Sequence, residues 1–153
     1  MKRLLVILSL IPACAFASDH TWFTIVGDSL RQDVDTIQVD VNPVAIKNNM
    51  RLLNVRLSRA KGRVSGDGIS FRSFDSLTEF DCDKKTARYT RTRFYAEPLW
   101  KAPTRVMDYP SNDVRPMAFR EIEPNPNERI IRAACNFESV MQGSAASASA
   151  PRR

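Results

Sequence analysis

The chain has 153 residues, of which 43% are hydrophobic and 26% charged, with a formal net charge of +6. This length suits one domain, and the composition excludes collagen, coiled coils and wholesale disorder. The single histidine, His20, argues against most histidine-based catalysis and histidine-rich metal sites, while the odd count of three cysteines needs an explanation.

The beginning of the chain has the three parts of a secretory signal peptide. A basic start at residues 1–3 precedes an apolar run at residues 4–11, and small residues follow at positions 15 and 17. The apolar run is shorter than the roughly 20 residues that span a bilayer. The pattern predicts a signal peptide over residues 1–17, cleavage between Ala17 and Ser18, and export to the periplasm, the outer membrane or the cell surface.

A second processing pattern stays open in this segment. An apolar and a small residue precede Cys14, and lipidation of Cys14 would attach the mature chain to a membrane. Pro12 fits that pattern poorly. Cleavage after Ala17 removes Cys14, Lys2 and Arg3, so the net charge falls by two from +6 and an even pair of cysteines remains.

Strand patterns dominate the first part of the mature chain. Residues 22–26 are rich in aromatic and β-branched side chains and stop at a Gly-Asp turn. Residues 36–41 alternate apolar with polar side chains, which is the period of a half-buried strand. A short turn is expected at residues 44–46 and a second turn at residues 47–49.

The alternation continues through the middle of the chain. In residues 51–59, Leu53 and Val55 share one face while Asn54 and Arg56 share the opposite one. Further strands are predicted at residues 69–74, 77–82 and 87–95, with a glycine-rich hairpin loop at residues 61–68 and a turn at residues 83–85. Strands at such short intervals favour an antiparallel meander of about six strands over parallel βαβ units.

The last third contains one helix signal. Residues 98–116 are predicted to be irregular, and residues 114–122 to add an edge strand. Asn125 can cap a helix whose first residue is Pro126. The predicted helix has an apolar stripe of Ile130, Ile131, Ala134 and Cys135. From residue 142 the chain is Ser-, Ala- and Gly-rich and predicted to be disordered, so the folded domain is expected over residues 18–141.

Cys82 and Cys135 are predicted to form a disulfide, because an exported chain meets oxidising conditions. Neither belongs to a CxxC pair or lies near a histidine in sequence, so a metal site is not expected. The bridge would tie the helix to one face of the sheet and contribute roughly 4 kcal/mol by closing a long loop. The predicted fold is α+β: an antiparallel sheet with a C-terminal helix packed on one face and held by this disulfide.

The order of these features resembles the bacterial surface-adhesin protein E family. The resemblance covers residues 22–137 and depends on Trp22, Val39-Asp40, the strand at residues 52–57, Ser73, Asp81-Cys82, Arg88, Trp100, Pro103 and Cys135. It implies a small antiparallel sheet with a C-terminal helix tied to its concave face by one disulfide. It also implies an adhesin that binds host matrix or serum proteins.

Catalytic patterns are scarce in the sequence. There is no GxGxxG motif, no P-loop and no calcium-loop spacing, and His20 lies beside the predicted mature N-terminus. Glu79 and Asp81 share a strand face opposite Phe80 and are interpreted as a solvated polar pair. We therefore expect no enzyme activity and no cofactor.

A basic cluster is the candidate ligand-binding feature. It comprises Lys84, Lys85, Arg88, Arg91 and Arg93, with Tyr89, Phe94 and Tyr95 between them. By the period of two, Tyr89 is expected to share a face with Arg91 and Arg93. Anionic envelope components or acidic host proteins are the expected partners, because an exported protein seldom meets nucleic acid. The alternative is that these charges only prevent edge-to-edge strand pairing.

Two functions follow as hypotheses. The first is an exported, non-catalytic binding protein that adheres to host matrix or serum proteins. The second is a periplasmic structural or accessory protein of the cell envelope without a host-binding role.

Overall fold

A computed structural model describes residues 20–136, which form one eight-stranded sheet and one nine-residue helix. The elements are β1 (Trp22–Val26), β2 (Thr36–Asp40), β3 (Ala45–Lys47), β4 (Met50–Val64), β5 (Ser70–Asp81), β6 (Thr86–Tyr95), β7 (Pro103–Asp108), β8 (Arg115–Pro116) and α1 (Asn127–Cys135). The sheet order is β1-β2-β4-β5-β6-β7, with β3 on β4 and β8 on β6, and every pair is antiparallel. The predicted α+β class and antiparallel architecture are confirmed.

The alternation along β2 and β4 separates the two sides of the sheet. Ile37, Val39, Leu53 and Val55 are fully buried on the side that α1 covers, which we call the helix side. The opposite side carries Arg56 and is called the outer face. Burying one such aliphatic side chain contributes about 1.5–3 kcal/mol, so the helix side supplies most of the apolar stabilisation.

Helix α1 packs on β2, β4 and β5 through Ile130, Ala133 and Ala134. The disulfide between Cys82 and Cys135 is present, as predicted, and joins the end of α1 to the end of β5. The helix begins later than the sequence suggests, because Pro126 is the N-cap residue rather than the first helical one. The Asn125 side chain still accepts a hydrogen bond from the backbone N–H of Asn127, at 3.0 Å.

Several strands differ from the sequence pattern. Residues 45–47, predicted as part of turns, form β3 because they pair with residues 50–52 of β4. The predicted loop at residues 61–68 is shorter, since β4 runs to Val64 and pairs with the start of β5. The two strands predicted at residues 69–74 and 77–82 are one continuous strand, β5.

The segment predicted to be irregular also contains regular structure. Residues 103–108 form β7 on the free edge of β6. In contrast, the edge strand predicted over residues 114–122 is reduced to the two residues of β8, and Met117, Phe119 and Ile122 beyond it cover the core instead. Both differences reflect tertiary pairing and packing, which override local propensity.

A β-bulge at Thr90 interrupts the alternation of β6. Leu77 pairs with Arg91 while Thr78 pairs with Tyr89, so Thr90 is the extra residue. Tyr89 therefore lies on the helix side, where its ring is 5.7 Å from that of Phe74. The expectation that Tyr89 shares a face with Arg91 and Arg93 is wrong for this reason.

Within residues 20–136, no helix has the length and apolar character needed to cross a bilayer. The predicted signal peptide over residues 1–17, its cleavage site at Ala17 and Ser18, the possible lipid site at Cys14 and the tail from residue 142 lie outside the described residues. The domain boundaries at residues 18 and 141 therefore stay predictions.

Candidate functional site

A row of polar side chains crosses the outer face. Thr24, Gln38, Arg56, Asp75 and Arg93 are consecutive partners in the register of β1, β2, β4, β5 and β6. Gln38 links two of them: its Nε2 donates to Thr24 Oγ1 and its Oε1 accepts from Arg56 Nε, both at 2.8 Å. Positive, negative and positive charges then follow one another at Arg56, Asp75 and Arg93.

Arg56 lies between the two tryptophans of the chain. Its guanidinium carbon is 3.8 Å from the ring centroid of Trp22 and 3.8 Å from that of Trp100. Cation–π contacts of this kind contribute about 0.5–2 kcal/mol each, and the planar guanidinium can stack on aromatic rings in a way that a lysine ammonium cannot. All three side chains are half-buried, so the stack keeps part of its surface open.

The loop between β6 and β7 positions Trp100. Its backbone N–H donates to Ser73 Oγ at 3.0 Å, and its indole N–H donates to the carbonyl oxygen of Phe74 at 3.1 Å. Leu99, Trp100 and Ala102 all have φ between 53° and 59°. Left-handed backbone costs roughly 1–2 kcal/mol per non-glycine residue, so the contacts with the sheet offset a strained loop conformation.

Burial lowers the pKa of Arg56 to about 10, while the negative charges of Asp40 and Asp75 oppose that shift. Arg56 is therefore a cation at neutral pH. Its positive charge is held between two indole rings in a partly desolvated setting, where a cation–π contact is stronger than in water.

His20 anchors the start of β1. Its Nδ1 lies against Asp40 Oδ2, and the backbone N–H of Thr21 donates to Asp40 Oδ1 at 3.0 Å. Asp40 is only 1% exposed, so its carboxylate holds the N-terminal residues beside the sheet. This contact, together with the tilted contact between the His20 and Trp22 rings at 5.4 Å, fixes one side of the arginine stack.

The five residues of the predicted basic cluster do not form one patch in the structure. Three of its members have carboxylate partners: Lys84 is 3.1 Å from Asp81, Arg88 is 2.7 Å from Glu79, and Arg91 is 3.5 Å from Asp108. Glu79 and Asp81 are thus half-buried members of outer-face ion pairs.

The remaining cluster members divide between the two sides. Arg93 is exposed on the outer face, opposite Asp75 in the register. Lys85 lines a groove on the helix side, next to the disulfide. Arg91 and Arg93 therefore lie on the outer face of β6, two strands from Arg56. Lys84 and Lys85 lie at the β5–β6 turn. The ligand-binding role of the five residues stays a prediction.

Chemically, the outer face combines a fixed cation, two indole rings and exposed arginines. Among residues 20–136 no group of three His, Cys, Asp or Glu side chains is placed to hold a metal ion. Sequence reasoning placed Arg56 on the correct face but missed its stack. The available signal was the rarity of tryptophan, since the chain has only two.

The family model described as surface-adhesin protein E matches residues 22–136. The match begins at the first residue of β1 and ends one residue after α1. It confirms the resemblance inferred from the sequence. No curated protein matches the chain.

Proposed function

Because the chain belongs to the surface-adhesin protein E family, we propose that it is an exported, non-catalytic protein that adheres to host matrix or serum proteins through the outer face. The observation that carries this proposal is the half-buried stack of Trp22, Arg56 and Trp100. Tryptophan and arginine are the residue types most enriched among the few side chains that dominate protein–protein binding.

The stack is also rigid before any partner arrives. Arg56 is held by Gln38 and by both rings, and Trp100 by two hydrogen bonds to the sheet. A side chain ordered in advance loses little conformational freedom on binding, which favours affinity.

The exposed arginines indicate an acidic partner surface. Arg91 and Arg93 lie on the outer face of β6, two strands from Arg56, and both are exposed. Rim charges of this kind mainly raise the association rate and make binding sensitive to salt. Host proteins with acidic patches fit this face better than neutral ones, and anionic envelope components are the competing partners.

The test is binding of the purified, disulfide-bonded chain to immobilised matrix and serum proteins. We expect saturable binding that weakens as salt increases. The variant Trp100→Ala and the triple reversal of Arg88, Arg91 and Arg93 to Glu should each reduce affinity at least tenfold. A matched control is Arg129→Glu on α1, which changes an exposed charge away from the outer face.

Two results would count against adhesion. Binding that is absent from the whole panel, or equal in Trp100→Ala and the parent, would remove the outer face as an adhesive site. Protease treatment of intact cells tests display: digestion supports a surface adhesin, whereas protection supports the periplasmic accessory role.

A further inference from the structure

A cavity of about 470 Å³ opens on the helix side, between the sheet and residues 114–121. Its walls come from the far ends of β4, β5 and β6 and from the chain after β7. Ligand sites commonly have volumes of roughly 300–1,000 Å³, so the space is large enough for a small molecule. The cavity is separate from the outer-face stack.

The walls are aromatic. Phe71, Phe74, Tyr89, Phe94 and Phe119 all line the cavity. Phe71 and Phe94 meet edge to face at 5.4 Å, and Phe74 stacks with Phe119 at 6.5 Å. Rings that support one another in this way hold the cavity in shape, and their surface favours an apolar occupant.

The charges around the cavity are mainly positive. Four arginines line it, against two carboxylates: Arg59, Arg63, Arg115 and Arg120 against Asp67 and Glu121. Arg115 is 3.1 Å from Asp67, and Arg63 is 2.6 Å from Glu121. Both carboxylates therefore have arginine partners. Arg59 is paired with Asp35, which lies outside the lining, so among the described residues Arg120 is the lining arginine left without an ion-pair partner.

Arg63 has an unused donor. The Nε atom of Arg63 is buried without a hydrogen-bond partner. Arg59 is 4% exposed, its Nη1 donates to the carbonyl oxygen of Arg120 at 3.2 Å, and its Nε lies 3.5 Å from Asp35. A buried donor without a partner is unfavourable, and an anionic oxygen at this rim would satisfy Arg63 Nε, whereas Arg59 already has Asp35.

We propose that the cavity binds one amphiphilic carboxylate, a free fatty acid, with its alkyl chain among the aromatic rings and its carboxylate at the arginine rim. The planar guanidinium matches a carboxylate in a two-point contact. A neutral alcohol of the same length lacks that interaction, and an alkyl ammonium has no carboxylate available in the lining, since Asp67 and Glu121 are both paired with arginines. This site is independent of the adhesion proposed for the outer face.

The experiment is calorimetric titration of the purified, disulfide-bonded chain with dodecanoate below its micellar concentration. We expect one saturable site for dodecanoate, at least tenfold weaker binding of dodecanol and no binding of dodecyltrimethylammonium. Equal binding of all three would show a non-specific apolar effect and overturn the proposal.

Variants locate the site. Arg63→Gln should weaken dodecanoate binding about tenfold, and Ala118→Trp, which adds bulk at an exposed position of the wall, should abolish it. Lys47→Gln on β3 removes an equal charge far along the sheet and should leave binding unchanged. Circular dichroism of each variant confirms folding, and Ala118→Trp keeps the test decisive if Arg63→Gln unfolds.

A second source of the same chemistry is a lipid bilayer. Co-sedimentation with phosphatidylglycerol vesicles separates the two sources. Sedimentation of the protein without saturable binding of monomeric dodecanoate would overturn the proposal, as would unchanged affinity in both cavity variants.

Discussion

The two sides of the sheet are built from the same strands but hold together differently. On the helix side, Leu53, Val55 and Phe80 are fully buried beneath α1 and the disulfide. On the outer face, Arg56 and Gln38 are fixed by directed hydrogen bonds and ring stacking. Stability therefore depends mainly on one side, while the chemistry suited to recognition lies on the other.

This division shows how a small domain can carry a polar, charged face. A row of charges is weakly stabilising because exposed ion pairs contribute about 0–1 kcal/mol. The apolar helix side and the covalent bridge supply the stability that such a face lacks. Changes on the helix side should therefore alter folding, and changes on the outer face should alter binding.

The largest expected effect comes from removing the bridge. The double variant Cys82→Ala, Cys135→Ala opens a loop with a sequence separation of 53 and should lower the free energy of unfolding by about 4 kcal/mol. Urea denaturation measures the loss. A loss below about 1 kcal/mol would contradict the stabilising role given to this side.

Neighbouring residues of β4 provide the next comparison. Leu53 is fully buried on the helix side, whereas Asn54 is half-buried on the outer face. Leu53→Ala should lower the free energy of unfolding by about 3 kcal/mol because it leaves a cavity. Asn54→Ala should change it by less than about 1 kcal/mol. Equal losses in denaturant titrations would show that the two sides do not differ.

The arginine stack should have a smaller effect on stability. Arg56→Lys removes the planar contact with both indoles and should lower the free energy of unfolding by about 1 kcal/mol. It should also shift tryptophan fluorescence, because Trp22 and Trp100 are the only tryptophans in the sequence. Arg91→Lys, an exposed change on the same face, is the control. An unaltered emission spectrum in Arg56→Lys would argue against the stack in solution.

The last comparison is a pH dependence on the helix side, which appears only in alkaline solution. Burial, reinforced by Asp67, raises the pKa of Tyr109 to about 12, above the value of about 10 for an unfolded chain. Because this pKa is higher in the folded than in the unfolded chain, protonated Tyr109 stabilises the folded state. The full contribution to the free energy of unfolding is present below pH 10 and is lost as the pH rises from 10 to 12.

Absorbance of phenolate during alkaline titration tests this directly. Tyr109→Phe should remove the transition near pH 12 and flatten the loss of stability between pH 10 and 12. Tyr95→Phe, on the outer face, should leave the transition near pH 12 in place. A Tyr109 midpoint at pH 10 would show that its side chain is not buried in solution.

The alternation of apolar and polar residues was enough to predict the parts of the fold that depend on local sequence. The faces of β2 and β4 follow the period of two, and the Cys82–Cys135 bridge follows from export and an even count. The short strands β3 and β7 were not predicted, because they form only by pairing with the longer strands β4 and β6.

The candidate site was harder to predict than the fold. The position of Trp100 depends on three left-handed residues that carry no glycine signal. The cavity on the helix side depends on residues 114–121 crossing the sheet, which no local pattern indicates. Arg56 could be assigned to its face, but its partners come from distant parts of the chain.

The extra residue at Thr90 has a consequence for how this family can evolve. It shifts the phase of β6, so that Arg88 and Arg91 reach one face although three positions separate them. Removal of Thr90 would leave Arg88 on the outer face and Tyr89 on the helix side, because Tyr89 and Arg91 would then alternate regularly opposite Thr78 and Leu77. A gap of one residue is therefore expected to be tolerated at Thr90 more readily than at a paired position of β6, where it would move side chains to the opposite face of the sheet.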